Sequence, residues 1–239
     1  MAGYMYLGNK KVCPAIVVGG GATTTDVTTL KLPDYLKNIE DGNFQITCNI
    51  IDKTGEEDVY IPLKLDFNNV EKITGYYWAV NFFKIQKKNI AVDFGKIKEI
   101  GDSSGDNNGT FGSAFRAVSF IQGYTDISFD NLETLGNYAF EATFQNSNIT
   151  ALRFKKLKNM STDAVGYMLF GCKDVDVYFY AVDSSTNLSG GGFSDICYMA
   201  KNVTLHLPSN MSAIIPTITG YPNFGGTNTI ILYDLPATE

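Results

Sequence analysis

Gly101-Asp102-Ser103-Ser104-Gly105 satisfies G-x-S-x-G, the turn that presents a nucleophilic serine, and the chain's single histidine, His206, follows it. The chemistry on offer would be acyl transfer, with Ser103 as nucleophile and His206 as its base. The context argues against it. A nucleophile elbow needs a strand before the serine and a helix after it, whereas Asp106-Asn107-Asn108-Gly109 follows here, a polar insertion. A serine hydrolase built on residues 101–105 is therefore the most remote of the functional readings, and an enzyme is not expected.

Asp102 and Asp106 in the same loop offer oxygen ligands to calcium, a weak candidate because the 1-3-5-12 order ending in glutamate is missing. The four cysteines, Cys13, Cys48, Cys172 and Cys197, form no C-x-x-C pair and do not cluster with histidine, so zinc and dithiol chemistry lack a ligand set. Free thiols are the expectation, with Cys172 and Cys197, 25 residues apart, the one pair that stacking could bring within bridging range. Gly19, Gly20 and Gly21 have neither the strand-to-helix context nor the lysine of a phosphate cradle. No cofactor is expected.

The elements that must carry any function repeat. The frame apolar-x-apolar-x-x-apolar-x-x-apolar occurs as LDFNNVEKI at 65–73, VDFGKIKEI at 92–100, ISFDNLETL at 127–135 and LRFKKLKNM at 152–160. Looser copies start at Val177, Leu205 and Ile230, so successive starts are 27, 35, 25, 25, 28 and 25 residues apart. A second apolar landmark, such as Ala114-Phe115, Ala139-Phe140 or Ala164-Val165, ends 12 residues before the next start and places the length variation between Ile100 and Ala114 and after Val182. The opening alternation makes a short strand with two side chains inward, and the following triplets turn a corner with two more inward. One unit cannot cover its own apolar row, so neighbours must stack in parallel.

If the frame residues point inward, those between them form an outward ladder: Asp66, Asp93, Ser128, Arg153, Tyr178, His206 and Ile231. Two residues further on lie Asn68, Gly95, Asp130, Lys155, Tyr180, Pro208 and Tyr233. Tyrosine clustered with arginine is the composition of binding hot spots. The expected contact residues are Arg153, Lys155, Tyr178, Tyr180, His206, Tyr233, Asp93 and Asp130.

Residues 132–140, Phe170-Gly171-Cys172 and the stretch from Leu205 to Met211 resemble BspA-type leucine-rich repeats over about residues 63–236. That resemblance implies a β-rich, α+β repeat fold: a right-handed leucine-rich-repeat-like solenoid with a parallel sheet of about six or seven short strands. It also implies a non-enzymatic adhesion or binding module that recognises a protein or glycan on a cell surface. The expected organisation is an N-terminal arm, Gly/Thr linker and β-hairpin cap over 1–60, with the solenoid over 61–239. The hairpin would pair 44–50 with 59–63, and Leu30 to Ile39 echoes an early, degenerate repeat. The opening YMYLGNKKV at 4–12 is similar to the start of some phage tail and baseplate-associated proteins of gut bacteria. This implies a structural or receptor-binding role in a tail, with homo-oligomerisation through the arm.

With 25 acidic against 19 basic residues the net charge is −6, opposite to the basic footprint of a nucleic-acid or anionic-membrane binder. No apolar run reaches the ~18 residues that span a bilayer, so membrane insertion is not expected. Residues 1–18 lack the segments of a signal peptide, which a virion protein assembled in the cytoplasm does not need. The expected location is a virion or a cell surface.

Overall fold

In the four strict frames the first and third residues are apolar and the second is polar, a period of two that makes a strand with one wet face. The computed structural model describes residues 2–7, 10–11, 16–17, 27–40, 44–47, 51–52, 59–60, 62–74, 88–101, 109–186, 193, 195–212 and 227–234. These strands stack as parallel rungs, and the chain is a β-solenoid of about five turns with almost no helix. Among the described residues no helix is long and apolar enough to cross a membrane.

The first wall consists of two parallel ladders. One runs Thr28–Lys31, Leu63–Asp66, Lys88–Asp93, Ser119–Phe120; the other runs Asp126–Phe129, Ala151–Phe154, Lys173–Phe179, Lys201–Pro208, Thr229–Tyr233. Frame starts lie side by side: Val92 pairs with Leu65, Ile127 with Leu152, Leu152 with Val177, Val177 with Leu205 and Leu205 with Ile230. The chain then turns a corner into a second wall of two-residue strands, Asn38–Ile39, Lys72–Ile73, Glu99–Ile100, Thr134–Leu135 and Asn159–Met160. An aspartate shapes two of these corners, since Asp66 Oδ1 accepts from the Asn68 amide at 2.7 Å and Asp93 Oδ1 from the Gly95 amide at 3.0 Å.

The third wall is neither helix nor strand. Its chain winds in four-residue turns with a left-handed residue at every fourth position: Ser113 and Ala117, then Tyr138, Ala142 and Asn146, then Asp163, Tyr167 and Gly171. Amides alternate between two partners. Those of Gly112, Ala114, Arg116 and Val118 reach carbonyls three residues back, while those of Phe111, Ser113, Phe115 and Ala117 bond Ala139, Glu141, Thr143 and Gln145 on the next coil. Every amide from 111 to 118 is thereby satisfied, as buried backbone requires. Each non-glycine left-handed residue costs about 1–2 kcal/mol, which the inter-coil bonds offset.

Phenylalanine fills the interior as a continuous column. Ring centroids of Phe67, Phe94, Phe129, Phe154 and Phe179 follow one another at 5.6, 4.3, 4.8 and 5.0 Å, and all five side chains are buried. The link from Phe94 to Phe129 matters most, because the first-wall ladder breaks there. Ile121 to Tyr124 makes a detour closed by the Tyr124 amide on the Ile121 carbonyl, with Gly123 at φ +88°. Packing across the break is backed by the second wall, where Glu99 pairs with Thr134.

This detour corrects the expected spacing of the third-wall landmark. Phe111 meets Phe140 at 5.9 Å and Phe115 stacks on Phe144 at 5.5 Å, so Ala114-Phe115 lies one four-residue turn away from the level of Ala139-Phe140. Extra length therefore sits after Phe120 as well as before Ala114. The N-terminal pairing also differs from expectation. Solenoid pairing begins at Thr28–Lys31, ahead of residue 61, and Leu30, Leu32, Leu36 and Ile39 are buried as an early repeat should be. Phe44–Thr47 pairs with Ala2–Leu7, and the hairpin joins Ile51–Asp52 to Val59–Tyr60. Alternation in 44–50 specifies a strand without specifying its partner.

Cys172 and Cys197 are buried free thiols, and burial pushes both up from the ordinary thiol range. Cys172 Sγ donates to the Phe144 carbonyl at 3.0 Å. Cys13 and Cys48 lie outside the described residues.

Two glycines separate backbone strain from collision. Gly95 has φ +53°, and a Cβ there would lie 2.6 Å from the Asn68 carbonyl oxygen, whereas at Gly123 nothing lies within 4 Å. Gly123→Ala is expected to cost about 1–2 kcal/mol from φ alone, and Gly95→Ala distinctly more because the corner itself must move. Urea denaturation of both variants checks this; equal midpoints would contradict the corner packing.

Candidate functional site

Period-two alternation fixes which side chains leave the first wall. Because Ile127 and Phe129 are buried, Asp126 and Ser128 face outward, and the register extends this to two rows. One is Ser128, Arg153, Tyr178, His206, Ile231; the other is Asp126, Ala151, Asp176, Thr204, Thr229.

At their centre is a stack. The Arg153 guanidinium lies 4.4 Å from the centroid of the Tyr178 ring, and the His206 ring stacks at 4.1 Å, with an interplanar angle of 9°. Arg153 and His206 come from opposite neighbouring strands, so both faces of Tyr178 are covered. Each end is pinned by a carboxylate. Arg153 grips Asp126 with Nε at 2.9 Å from Oδ1 and Nη2 at 2.8 Å from Oδ2, and Asp176 Oδ1 lies 2.9 Å from His206 Nε2. The Asp126 bond is the main reason that the Arg153 guanidinium is held above its ordinary range.

Tyr180 and Tyr233 extend the cluster. Tyr180 runs nearly parallel to Tyr178 at 5.9 Å, its hydroxyl accepts from Arg153 Nη1 at 3.5 Å, and Tyr233 packs edge-on against it at 6.0 Å. The Tyr233 hydroxyl donates to the Phe179 carbonyl at 2.9 Å. Partly exposed ion pairs, cation–π contacts and ring pairs each contribute about 0.5–1 kcal/mol. Interlocked, they hold one another in place.

Arg153, Tyr178, Tyr180, His206 and Tyr233 therefore converge. Lys155 and Asp130 form a neighbouring ion pair at 2.8 Å, and that lysine together with the Ser128 hydroxyl holds the Asp130 carboxyl below its usual range. Asp93 stands apart, beyond the detour at 121–124, and binds Lys64 Nζ at 2.8 Å. The Lys64 ammonium is raised by that bond. Asp102, Ser103 and Asp106 lie outside the described residues, and among the described residues no three metal-ligating side chains cluster. The anchors Asp126 and Asp176 were missing from the sequence expectation. Their signal was present, since each sits two residues before a ladder member and so shares its face.

Burial, then the nearby Tyr180, pushes the Tyr233 phenol up to about 12. A raised acid favours folding while both states are protonated, and that contribution is lost as pH rises above the ordinary tyrosine value of ~10. Stability is expected to fall between pH ~10 and ~12, less steeply in Tyr233→Phe; parallel denaturation slopes for the two proteins would contradict the assignment. No protein family matches this sequence, and no match was found among curated proteins or solved structures.

Proposed function

We propose that the chain is a non-enzymatic recognition module that binds a protein or glycan through the outer face of its first wall, with Arg153, Tyr178, Tyr180 and His206 as central contacts. One observation carries this reading: the Arg153–Tyr178–His206 stack, pinned at both ends by Asp126 and Asp176. Solvation alone does not require three aromatic rungs and two carboxylate-anchored side chains on a wet face. A surface ordered in advance loses little side-chain entropy on binding. Lys155, Asp130 and Tyr233 form its border, and Asp93 a separate outlying contact.

Kinship with BspA-type leucine-rich repeats belongs to the same reading. The four strict frames and their strand-then-corner path support it, and adhesion to a cell surface follows from it. A second reading, a structural or receptor-binding component of a phage tail, is supported by the opening YMYLGNKKV. In it, Ala2–Leu7, which pairs with Lys10–Lys11 and Phe44–Thr47, belongs to an assembly arm.

Arrays of glycans and of bacterial envelope proteins, probed with the full chain, test the reading. Tyr178→Ala combined with Tyr180→Ala is expected to lower binding about 30-fold while costing only about 1–2 kcal/mol of folding stability. Unchanged array signals in a folded double variant, or no signal from the wild type, would refute it.

A further inference from the structure

The third wall has an outer surface of its own, which changes character along the stack. Its winding requires a left-handed residue at every fourth position; one column holds Ser113, Ala142 and Tyr167, and the next Ala117, Asn146, Gly171 and Met199. Glycine and asparagine adopt this conformation most readily, and bulky side chains least. Tyr167 and Met199, at φ +52° and +56°, are thus unfavourable occupants, yet they are 40% and 65% exposed and do not fill the core. The Tyr167 ring packs edge-on against Tyr198 at 5.5 Å, and Phe170 lies 5.7 Å from Tyr198. The outcome is an exposed aromatic and thioether patch.

Its border is acidic. Glu141 and Asp163 are raised above the usual carboxylate range, first by burial, then by the charge of Asp163 on Glu141 and of Asp195 on Asp163. Among the described residues no lysine or arginine pairs with Glu141 or Asp163. We propose that this face, Tyr167, Tyr198 and Met199 bordered by Glu141, Asp163 and Asp195, docks a lysine- or arginine-bearing segment of a partner protein.

Such a segment complements the patch in both respects. Its aliphatic stems lie along the rings and the methionine, while its cations meet ring faces and carboxylates. A neutral or acidic segment would desolvate the carboxylates further without compensation. The patch lies on a different wall from the Arg153–Tyr178–His206 stack, so either surface can fail without the other.

Calorimetric titration of the full chain with a ten-residue peptide alternating lysine and glycine, against its glutamate counterpart, tests the proposal. About 0.15 M salt suppresses long-range attraction. The lysine peptide is expected to bind saturably and the glutamate peptide not at all. Tyr167→Gly combined with Met199→Gly removes the patch while relieving backbone strain, so it keeps the fold, and it should weaken binding at least about tenfold. Asp163→Asn should weaken it likewise, whereas Glu40→Gln, an exposed carboxylate beside the second wall, should not. No saturable binding of the lysine peptide, unchanged affinity in the glycine double variant, or equal weakening by Glu40→Gln would each overturn the proposal.

Discussion

A single coil of this chain leaves half of the third-wall amides and one side of each phenylalanine without a partner, and only the adjacent coil supplies both. The amides of Phe140, Ala142 and Phe144 bond the carbonyls of Ala164, Gly166 and Met168 on the coil above, while Phe129, Phe154 and Phe179 stack through the interior. Hydrogen bonding and apolar burial therefore reward the same neighbour. Stability in such an array is a sum of coil and interface contributions, which makes each interface indispensable to the coils on either side.

The column also explains how the fold tolerates an interruption. Between Asp93 and Asp126 the first-wall ladder is broken by the detour at Ile121 to Tyr124, yet the Phe94 and Phe129 rings approach to 4.3 Å. Side-chain packing holds the pitch where backbone pairing lapses. Downstream, the strands recover register well enough to align Arg153, Tyr178 and His206 rung by rung. The outer stack is thus a product of interior spacing: rings on a wet face meet at stacking distance because the rungs beneath them do.

The strand faces could be read from the chain because their period is two. Knowing that Leu152 and Phe154 point inward is enough to place Arg153 outward, and the copy spacing is enough to set it beside Tyr178. The third wall resisted the same treatment. A winding that repeats every four residues looks unchanged when shifted by four, so Ala114-Phe115 and Ala139-Phe140 seem equivalent in sequence although Phe111 is the residue that meets Phe140. Asp126 and Asp176 are legible as members of the outer face, but their role as anchors depends on which long side chain bends toward them across a rung, a choice of rotamer that strand alternation does not encode. Partner choice for 44–47 is similar, since an alternating strand pairs equally well on paper with any exposed edge.

The claim beneath all of this is that neighbouring coils stabilise one another through the phenylalanine column. A double-mutant cycle on Phe129→Leu and Phe154→Leu, whose rings stack at 4.8 Å, measures that coupling directly. A coupling of about 0.5–1.5 kcal/mol is predicted for this pair, against additivity within about 0.5 kcal/mol for the non-adjacent pair Phe94 and Phe179. Additive effects at Phe129 and Phe154 would contradict the account.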